Sequence, residues 1–188
     1  MIDLILSIDR NFLYSLNARW GGSFFDHLMM MISGPYPWIL IVGFLIFWVL
    51  KKQRGEFIRF AILIAVTLSI TDLFCYRVLK PWIARKRPCI ELRDLRLIEE
   101  CGSEFGFPSN HAANSIVVVS LFYLQFRHKK LTLFLGLFAA LVGYSRVYLA
   151  AHYPLDVLAG YFVGVGFALC GYFISLYLVQ WIAKKRVV

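Results

Sequence analysis

The amino-acid sequence predicts an all-α membrane protein, a polytopic bundle of five to six transmembrane helices with an interfacial helix at the N-terminus. Composition is the first reason, since 60% of the 188 residues are hydrophobic and 17% are aromatic, whereas a soluble domain is about half apolar. The second reason is that several apolar runs approach the roughly 20 residues that a helix needs to cross a bilayer. The third reason is that clusters of Lys and Arg follow these runs.

The N-terminal segment has helical spacing of its apolar residues but is too polar for a span. We predict that residues 1–22 form a helix that lies in the membrane interface and ends at Gly21-Gly22. Its predicted apolar face consists of Ile2, Ile5, Leu6, Phe12, Leu13, Leu16 and Trp20. Its predicted polar face consists of Asp3, Ser7, Arg10, Asn11 and Tyr14.

Five apolar segments follow and predict the spans of a single domain, residues 1–188. The predicted spans are residues 36–50, 57–79, 111–126, 131–149 and 155–182. The first of them is short and can be extended by the apolar segment 24–34, which Gly34-Pro35 separates from it. Between the second and third spans lies a long polar segment, residues 80–110, which we predict to be a loop region at the outer face.

Charge is distributed unequally between the two sides that these spans define. Single spans separate the basic ends near residues 51–59, 127–130 and 184–186 from the polar stretches, so all three ends lie on one side. That side carries ten Lys and Arg residues and the acid Glu56, whereas the other carries ten basic and ten acidic residues. The net charge of +9 therefore belongs to one face, which the positive-inside rule identifies as cytoplasmic. We interpret this charge as a topology signal and predict no nucleic-acid partner.

Three cations near the outer face are candidates for phosphate binding. Lys80 and Arg87 flank a short stretch at the end of the second span; Arg makes planar bidentate contacts with phosphate oxygens, and Lys supplies a point charge. Basic side chains at span ends also extend routinely to the membrane surface, so this pair alone leaves both interpretations open. Arg146 follows a long apolar run, and a charge in that position favours a function.

Residues 108–111, Pro-Ser-Asn-His, predict the start of a helix at which an anion can bind. Ser109 is a favourable N-cap residue, and a helix N-terminus offers free N–H groups together with a partial positive charge. His111 lies in the first turn of this helix. The alternative is an ordinary cap beside a surface histidine.

His152 and Asp156 are four residues apart at the start of the last span, where Pro154 suits the first helical turn. At this spacing the carboxylate can hydrogen-bond one imidazole nitrogen and leave the other free as a nucleophile. The alternative is a capping carboxylate beside a buried histidine. His128, in a basic loop with no acid partner, is assigned no role.

Considered together, these motifs resemble the three-part signature of the type 2 phosphatidic acid phosphatase (PAP2) superfamily. The matching residues are Lys80-x6-Arg87-Pro88, Pro108-Ser109-Asn110-His111 and Ser145-Arg146-x5-His152-x3-Asp156. One position departs from the family pattern, since Asn110 replaces the usual glycine of Pro-Ser-Gly-His. The change affects a backbone amide that approaches the phosphate most closely when the residue is glycine, although an Asn side chain can itself donate a hydrogen bond.

The resemblance implies a role for each matched residue. His152 would form a phosphohistidine, Asp156 would orient it, and His111 would protonate the leaving group and then help to activate water. The implied phosphate-binding residues are Lys80, Arg87, Ser109, Asn110 and Arg146. The resemblance implies no metal and no cofactor, and the acids of the outer loop form no recognisable metal motif.

Other polar residues receive structural interpretations. Asp72, inside the second span, is expected to pair with a basic residue of another span. Arg85 and Lys86 are expected to reach the membrane surface or lipid headgroups. Cys89 and Cys101 share the outer loop, and a disulfide between them would require an oxidising compartment, so the sequence leaves this pairing open.

The functional prediction is a metal-independent lipid phosphatase in the inner membrane of a bacterium, with its active site facing the periplasm. Its expected partners are the bilayer and a phosphorylated lipid, either lipid A 1-phosphate or undecaprenyl diphosphate. Phosphatidylglycerol phosphate and phosphatidic acid are alternative substrates. A lipid transporter or a non-catalytic scaffold is the alternative from another class, disfavoured because the polar residues cluster at one surface and both histidines are kept with Asp156. The sequence leaves the oligomeric state open.

Overall fold

A computed structural model describes residues 1–19, 22–52 and 54–185 of the chain. Within these ranges the regular structure is helical, with one isolated β-bridge between Lys86 and Phe105. The helices are α1 (Ile2–Arg19), α2 (Ser23–Ser33), α3 (Tyr36–Lys52), α4 (Arg54–Phe74) with a π-helical continuation (Cys75–Leu79), α5 (Lys80–Ile83), α6 (Pro88–Glu91), α7 (Asn110–Phe126), α8 (Lys129–Tyr148) and α9 (Pro154–Lys185). The predictions that involve Trp20, Gly21, Gln53 and Arg186 lie outside the described residues.

Several of these helices are long and apolar enough to cross a membrane. By length and composition they are Glu56–Ile83, Lys129–Tyr148 and Pro154–Lys185. The pair α2 and α3 meets the same criteria together, with a bend of 48° at the break between Ser33 and Tyr36. The all-α membrane bundle is therefore confirmed. The number of spans stays a prediction, because α7 has only 17 residues and is mostly covered by other helices.

Helix α7 forms the centre of the bundle, in contact with α4, α8 and α9. Its residues Val117, Leu121 and Phe122 are completely buried, and the ring of Phe122 lies 5.5 Å from that of Trp48 on α3. By contrast, an apolar stripe along α4 is exposed, as expected for a surface that contacts lipid rather than water. This stripe consists of Ile58, Ile62, Val66, Ile70 and Leu73.

Two glycines of α9 bring it into direct contact with the backbone of α7. A β-carbon at Gly160 would lie 2.5 Å from the carbonyl oxygen of Ser109, and one at Gly164 would lie 2.3 Å from that of Ala113. Any side chain at either position would therefore force the helices apart. Small residues spaced four apart are a common feature of close helix contacts in membranes, and here they fix the start of α7 against α9.

Helix α1 packs on the protein through a stripe of mixed polarity. Asp9, Leu13 and Asn17 form this buried stripe, whereas Ile5 and Phe12 of the predicted apolar face are exposed. Asn17 donates hydrogen bonds to the carbonyl oxygens of Arg96 and Tyr148, at 3.0 and 2.9 Å. An exposed apolar side is what a helix in the membrane interface requires, because that side contacts lipid while the polar residues bind partners in the protein.

The segment between α4 and α7, which was predicted to face outward and is called the outer segment below, is folded rather than extended. A disulfide joins Cys89 and Cys101, whose Cα atoms are 6.0 Å apart, and the Arg87 amide donates to the carbonyl of Glu104 at 3.1 Å. The possible disulfide of the sequence analysis is thus present. It holds the residues around Arg87 against the stretch that leads into α7.

Candidate functional site

The three sequence motifs meet at one end of the bundle. The backbone amide of Ser109, before α7, donates to the carbonyl of Asp156 on α9 at 2.9 Å. Arg87 approaches His152 to 3.1 Å between its Nη1 and the imidazole Nε2. Residues 65 positions apart in the chain, Arg87 and His152, thus belong to one cluster, which lies at the ends of three helices.

His152 lies in the short turn between α8 and α9 and is 1% exposed. Arginine nitrogens act only as donors, so the contact with Arg87 places the lone pair of the imidazole on Nε2. The neutral ring then carries its proton on Nδ1, which faces Asp156 Oδ2 at 3.6 Å. This distance exceeds that of a hydrogen bond, so the predicted orientation is present but the predicted hydrogen bond is not formed.

Asp156 uses both carboxylate oxygens in other contacts, which explains that longer distance. Its Oδ1 accepts from Arg85 at 2.7 Å, and its Oδ2 accepts from the amide of Tyr153 at 3.0 Å. The second contact is typical of a carboxylate in the first turn of a helix. The carboxylate is therefore fixed beside the imidazole of His152 by two other groups.

The environment of His152 favours its neutral form. Burial is the largest effect and lowers the pKa of His152 well below its usual value, and the positive charges of Arg87 and Arg146 lower it further. Both effects disfavour a second proton on the ring. A neutral imidazole with a lone pair on Nε2, next to a guanidinium, is a nucleophile placed beside an anion-binding group.

Arg87 is buried and holds several parts of the site together. Its Nε donates to the carbonyl of Ser103 at 2.6 Å, its Nη2 to the hydroxyl of the same residue at 3.2 Å, and its Nη1 to the carbonyl of Ala151 at 2.9 Å. These bonds fix the plane of the guanidinium. A planar, fixed guanidinium presents its donors to tetrahedral oxyanions in a defined direction.

Arg146, in the last turn of α8, is also buried. One of its Nη atoms contacts both the hydroxyl of Ser33 on α2 and the carboxylate of Glu99, the latter at 3.4 Å. Glu99 is exposed over nearly half of its side chain and belongs to the outer segment. Sequence reasoning missed both Ser33 and Glu99, because neither belongs to the recognised motifs.

Lys80 is 5% exposed, and its ammonium group donates to three backbone carbonyls. The acceptors are Phe105, Gly106 and Pro108, at 3.3, 3.2 and 3.0 Å. The π-helical turn directly before Lys80 changes the direction in which α4 presents its side chains, and such turns are frequent at functional sites. In this arrangement Lys80 fixes the stretch that leads into α7.

The start of α7 has the geometry that the sequence predicted. Ser109 is the N-cap, and its hydroxyl accepts from the amide of Ala112 at 3.5 Å. The amides of Asn110 and His111 belong to the first turn, where no preceding carbonyl of the same helix can accept from them. These donors and the partial positive charge of the helix end provide an anion site.

Asn110 directs its side chain away from that anion site. Its amide nitrogen donates to the carboxylate of Asp72 at 2.8 Å, and Asn114, one turn further along α7, donates to the same oxygen at 3.0 Å. The expectation that Asp72 pairs with a basic residue is therefore wrong. Two amides provide the donors that a carboxylate inside a span requires, and Asn110 ties α7 to α4.

Arg85 was also interpreted wrongly from the sequence. It does not extend to the membrane surface: its Nη2 contacts Asp9 at 2.6 Å while its Nη1 contacts Asp156. Arg96 is likewise occupied within the protein, since it binds both carboxylate oxygens of Asp26, at 2.9 and 2.8 Å. The acids that bind these arginines lie about 70 or more positions away in the sequence, so composition could not identify them as partners.

Gly106 is a further residue that sequence reasoning missed. A β-carbon there would lie 3.0 Å from Asp156 Oδ2 and 3.6 Å from His152 Nδ1. The backbone of the outer segment therefore covers the protonated side of the imidazole. Its tight fit leaves Nε2, on the opposite side of the ring, as the reactive nitrogen.

An apolar cleft of about 410 Å³ begins next to His111. Its walls come from α3, α4 and α7, and it has a polar end formed by Asp72, Asn110, His111 and Asn114. The remaining lining residues are Trp38, Val42, Leu68 and Val118. A cleft that joins a polar site to an apolar wall suits a molecule with a charged head and hydrocarbon chains.

Metal ligands are not assembled in the described part of the chain, where no three His, Cys, Asp or Glu residues are grouped as a metal site requires. The groups of the site are two imidazoles, buried cations, a helix N-terminus and one fixed carboxylate. Together they can bind a tetrahedral anion and transfer protons to and from its oxygens.

Known proteins are similar to this chain in sequence. The family model described as PAP2 superfamily matches residues 59–184. The chain is 32% identical over 170 residues to lipid A 4'-phosphatase of Bacteroides thetaiotaomicron, covering 87% of this chain and 75% of that protein. It is 30% identical to lipid A 4'-phosphatase of Porphyromonas gingivalis, with coverage of 98% and 78%.

A solved structure shares the fold as well. The first transmembrane PAP2 type phosphatidylglycerolphosphate phosphatase from Bacillus subtilis superposes with a TM-score of 0.69 at 26% identity, covering 93% of this chain and 87% of that one. The family match extends over about two thirds of the sequence and includes all three motifs. The chain therefore belongs to the PAP2 superfamily and is a membrane lipid phosphatase.

Proposed function

We propose that the protein hydrolyses a phosphate monoester of a lipid A-type glycolipid at the periplasmic face of a bacterial inner membrane, through a phosphohistidine on His152. The observation that carries the proposal is the position of Nε2 of His152, with its lone pair directed at Arg87 from 3.1 Å. A phosphate bound to this guanidinium would bring its phosphorus next to the nucleophile.

The reaction would proceed in two steps. Nε2 attacks phosphorus as the bond to the lipid oxygen breaks, and His111 transfers a proton to that oxygen. His111, now neutral, then takes a proton from a water molecule that attacks the phosphohistidine, which releases inorganic phosphate and restores His152. Arg87, Arg146 and the first amides of α7 would stabilise the charge on the phosphate oxygens in both steps, and no step needs a metal or a cofactor.

The remaining site residues would support this reaction indirectly. Asp156 would stabilise the positive charge that the imidazole of His152 acquires. Lys80 and Ser109 would hold the backbone that supplies the anion-binding amides, and Asn110 would contribute its backbone N–H while its side chain binds Asp72. The unusual residue at position 110 is thus compatible with activity.

Two observations support the periplasmic orientation. The span arrangement predicted from the sequence puts the basic span ends on the side opposite the site, as the positive-inside rule requires for an outward-facing site. The disulfide between Cys89 and Cys101 belongs to the same end as the site, and disulfides persist in the periplasm rather than in the cytosol.

The choice of a glycolipid rests on the relatives and on the site's own charges. The two curated relatives reported above are named for removal of the 4'-phosphate of lipid A, which favours a phosphate monoester on a sugar over the isoprenoid diphosphate considered from the sequence. Asp72 also supports a monoester, because its carboxylate beside His111 would repel a second phosphate and accept hydrogen bonds from hydroxyl groups.

The test is phosphate release by purified, detergent-solubilised protein from a panel of lipids, in the presence of EDTA. We expect lipid A to be dephosphorylated faster than undecaprenyl diphosphate or phosphatidylglycerol phosphate. Tandem mass spectrometry of the product then distinguishes loss of the 1-phosphate from loss of the 4'-phosphate. Faster turnover of the diphosphate would refute the glycolipid assignment, and loss of activity that one divalent ion restores would refute the metal-free mechanism.

His111→Ala tests the proposed proton donor. A general acid matters most when the leaving oxygen is strongly basic, so we expect about a 10²- to 10⁴-fold loss with a lipid phosphate and a much smaller loss with p-nitrophenyl phosphate. The measurement is phosphate release from both substrates. Equal losses would show that His111 does not protonate the leaving group.

A further inference from the structure

Asp9 is a buried charge that the proposed reaction does not use. It lies on α1, on the stripe that faces the protein, and is 3% exposed. A carboxylate with so little contact with solvent costs free energy unless its oxygens are fully bonded. Asp9 lies on a helix that belongs to none of the three motifs, so the motifs do not explain why this charge is buried.

Both oxygens of Asp9 are bonded to residues at the site. Oδ1 accepts from the amide of Leu155 at 2.9 Å, in the first turn of α9, where the backbone N–H groups have no intrahelical acceptor. Oδ2 contacts Nη2 of Arg85 at 2.6 Å. One carboxylate on α1 therefore fixes both the residue next to Asp156 and the cation that binds it.

Arg85 links Asp9 to Asp156 through a single rigid group. Its second nitrogen, Nη1, binds Asp156 Oδ1 at 2.7 Å, and its guanidinium stacks on the ring of Tyr153, 4.1 Å from the ring centre. The other oxygen of Asp156 faces Nδ1 of His152. A series of polar contacts thus runs from α1 to the imidazole, and its last step, 3.6 Å between Asp156 Oδ2 and His152 Nδ1, is longer than a hydrogen bond.

The charges along this series have a consequence for His152. One guanidinium between two carboxylates leaves a net negative charge, which favours the positive imidazole that forms during phosphoryl transfer. Without Asp9, Arg85 and Asp156 would form a pair with no net charge. Such a pair attracts the Nδ1–H group of His152 less than the negatively charged group of three does. The guanidinium would also lose one of the two bonds that fix its plane.

We propose that Asp9 is a positioning residue of the phosphoryl-transfer site and that it acts on His152 through Arg85 and Asp156. The inference rests on the proposed function only in needing His152 as the nucleophile, and it holds for any lipid phosphate. Helix α1 is then part of the reaction machinery as well as a membrane-contacting element.

The test compares Asp9→Asn with wild-type protein on whichever lipid of the panel the wild type hydrolyses fastest, so that a wrong substrate assignment does not affect the result. We expect kcat to fall about 10- to 100-fold and KM to change less than about threefold. Asp9→Glu, which keeps the charge, should have an intermediate kcat. Asp3→Asn, on an exposed position of the same helix, is the matched control and should behave as wild type.

A double-mutant cycle with Arg85→Gln shows whether Asp9 acts through Arg85. If it does, Asp9→Asn should lower kcat by less than about twofold in the Arg85→Gln background. The proposal would be overturned if the losses in kcat of the two single variants multiply in the double variant. An effect of Asp9→Asn confined to KM, or a wild-type kcat for it, would also overturn the proposal. If Asp9→Asn does not fold, as judged by thermal unfolding in detergent, Asp9→Glu decides alone, and a wild-type kcat for it would contradict a positioning role.

Discussion

His152→Ala is expected to lower lipid phosphate hydrolysis by at least about 10⁴-fold, because in the proposed mechanism it removes the atom to which phosphorus is transferred. Two groups next to the ring, the backbone at Gly106 and the cation Arg87, are not nucleophiles. Affinity for the substrate should change little, because the phosphate is held by cations and backbone amides. The measurement is single-turnover phosphate release together with binding of a phosphorylated lipid.

The intermediate gives this prediction a second readout. Wild-type protein mixed with ³²P-labelled lipid and quenched in alkali should retain label, whereas His152→Ala should retain none, because phosphohistidine survives alkali and is hydrolysed in acid. His128→Ala is the matched control: His128 lies outside the site and caps α8 by accepting from the amide of Leu131. Label on the His152→Ala protein would mean that another residue is the nucleophile.

Arg87→Lys is expected to have the second largest effect, a loss of about 10²- to 10³-fold in kcat. Lysine keeps the positive charge but cannot form the planar set of bonds to Ser103, Ala151 and His152. Without them the cation would no longer face Nε2 of the imidazole in a fixed direction. The loss should therefore appear in kcat as well as in KM, measured as phosphate release over a range of substrate concentrations.

Lys86→Ala is the control for that substitution. Lys86 is adjacent in sequence and exposed, so its removal should change kcat by less than about threefold. A wild-type kcat for Arg87→Lys would show that positive charge alone is sufficient at this position. The multiply bonded geometry of Arg87 would then have no role in the reaction.

Much of the architecture was predictable because the membrane constrains the sequence strongly. Apolar runs located the long helices, and local signals identified Ser109 as a cap and Pro154 as the first residue of α9. These features depend on residues close together in the chain. They required no knowledge of which helices are neighbours.

The pairings within the site could not be predicted in the same way. Asp9, Arg85 and Asp156 are separated by 76 and 71 positions, and the outer side offers ten bases and ten acids from which to choose. Composition does not distinguish a cation that extends to lipid from one that is buried between two carboxylates. Gly160 and Gly164 of α9 were not singled out in the sequence, although small residues four apart are typical of close helix contacts in membranes.

The glycine contact between α7 and α9 also restricts how a lipid can approach. With α9 against the backbone at Ser109 and Ala113, the two helices meet there without room for a side chain. The opposite flank of α7 carries the apolar cleft that begins at His111. A lipid that enters along this cleft would bring its ester oxygen to His111, the proton donor of the proposed mechanism.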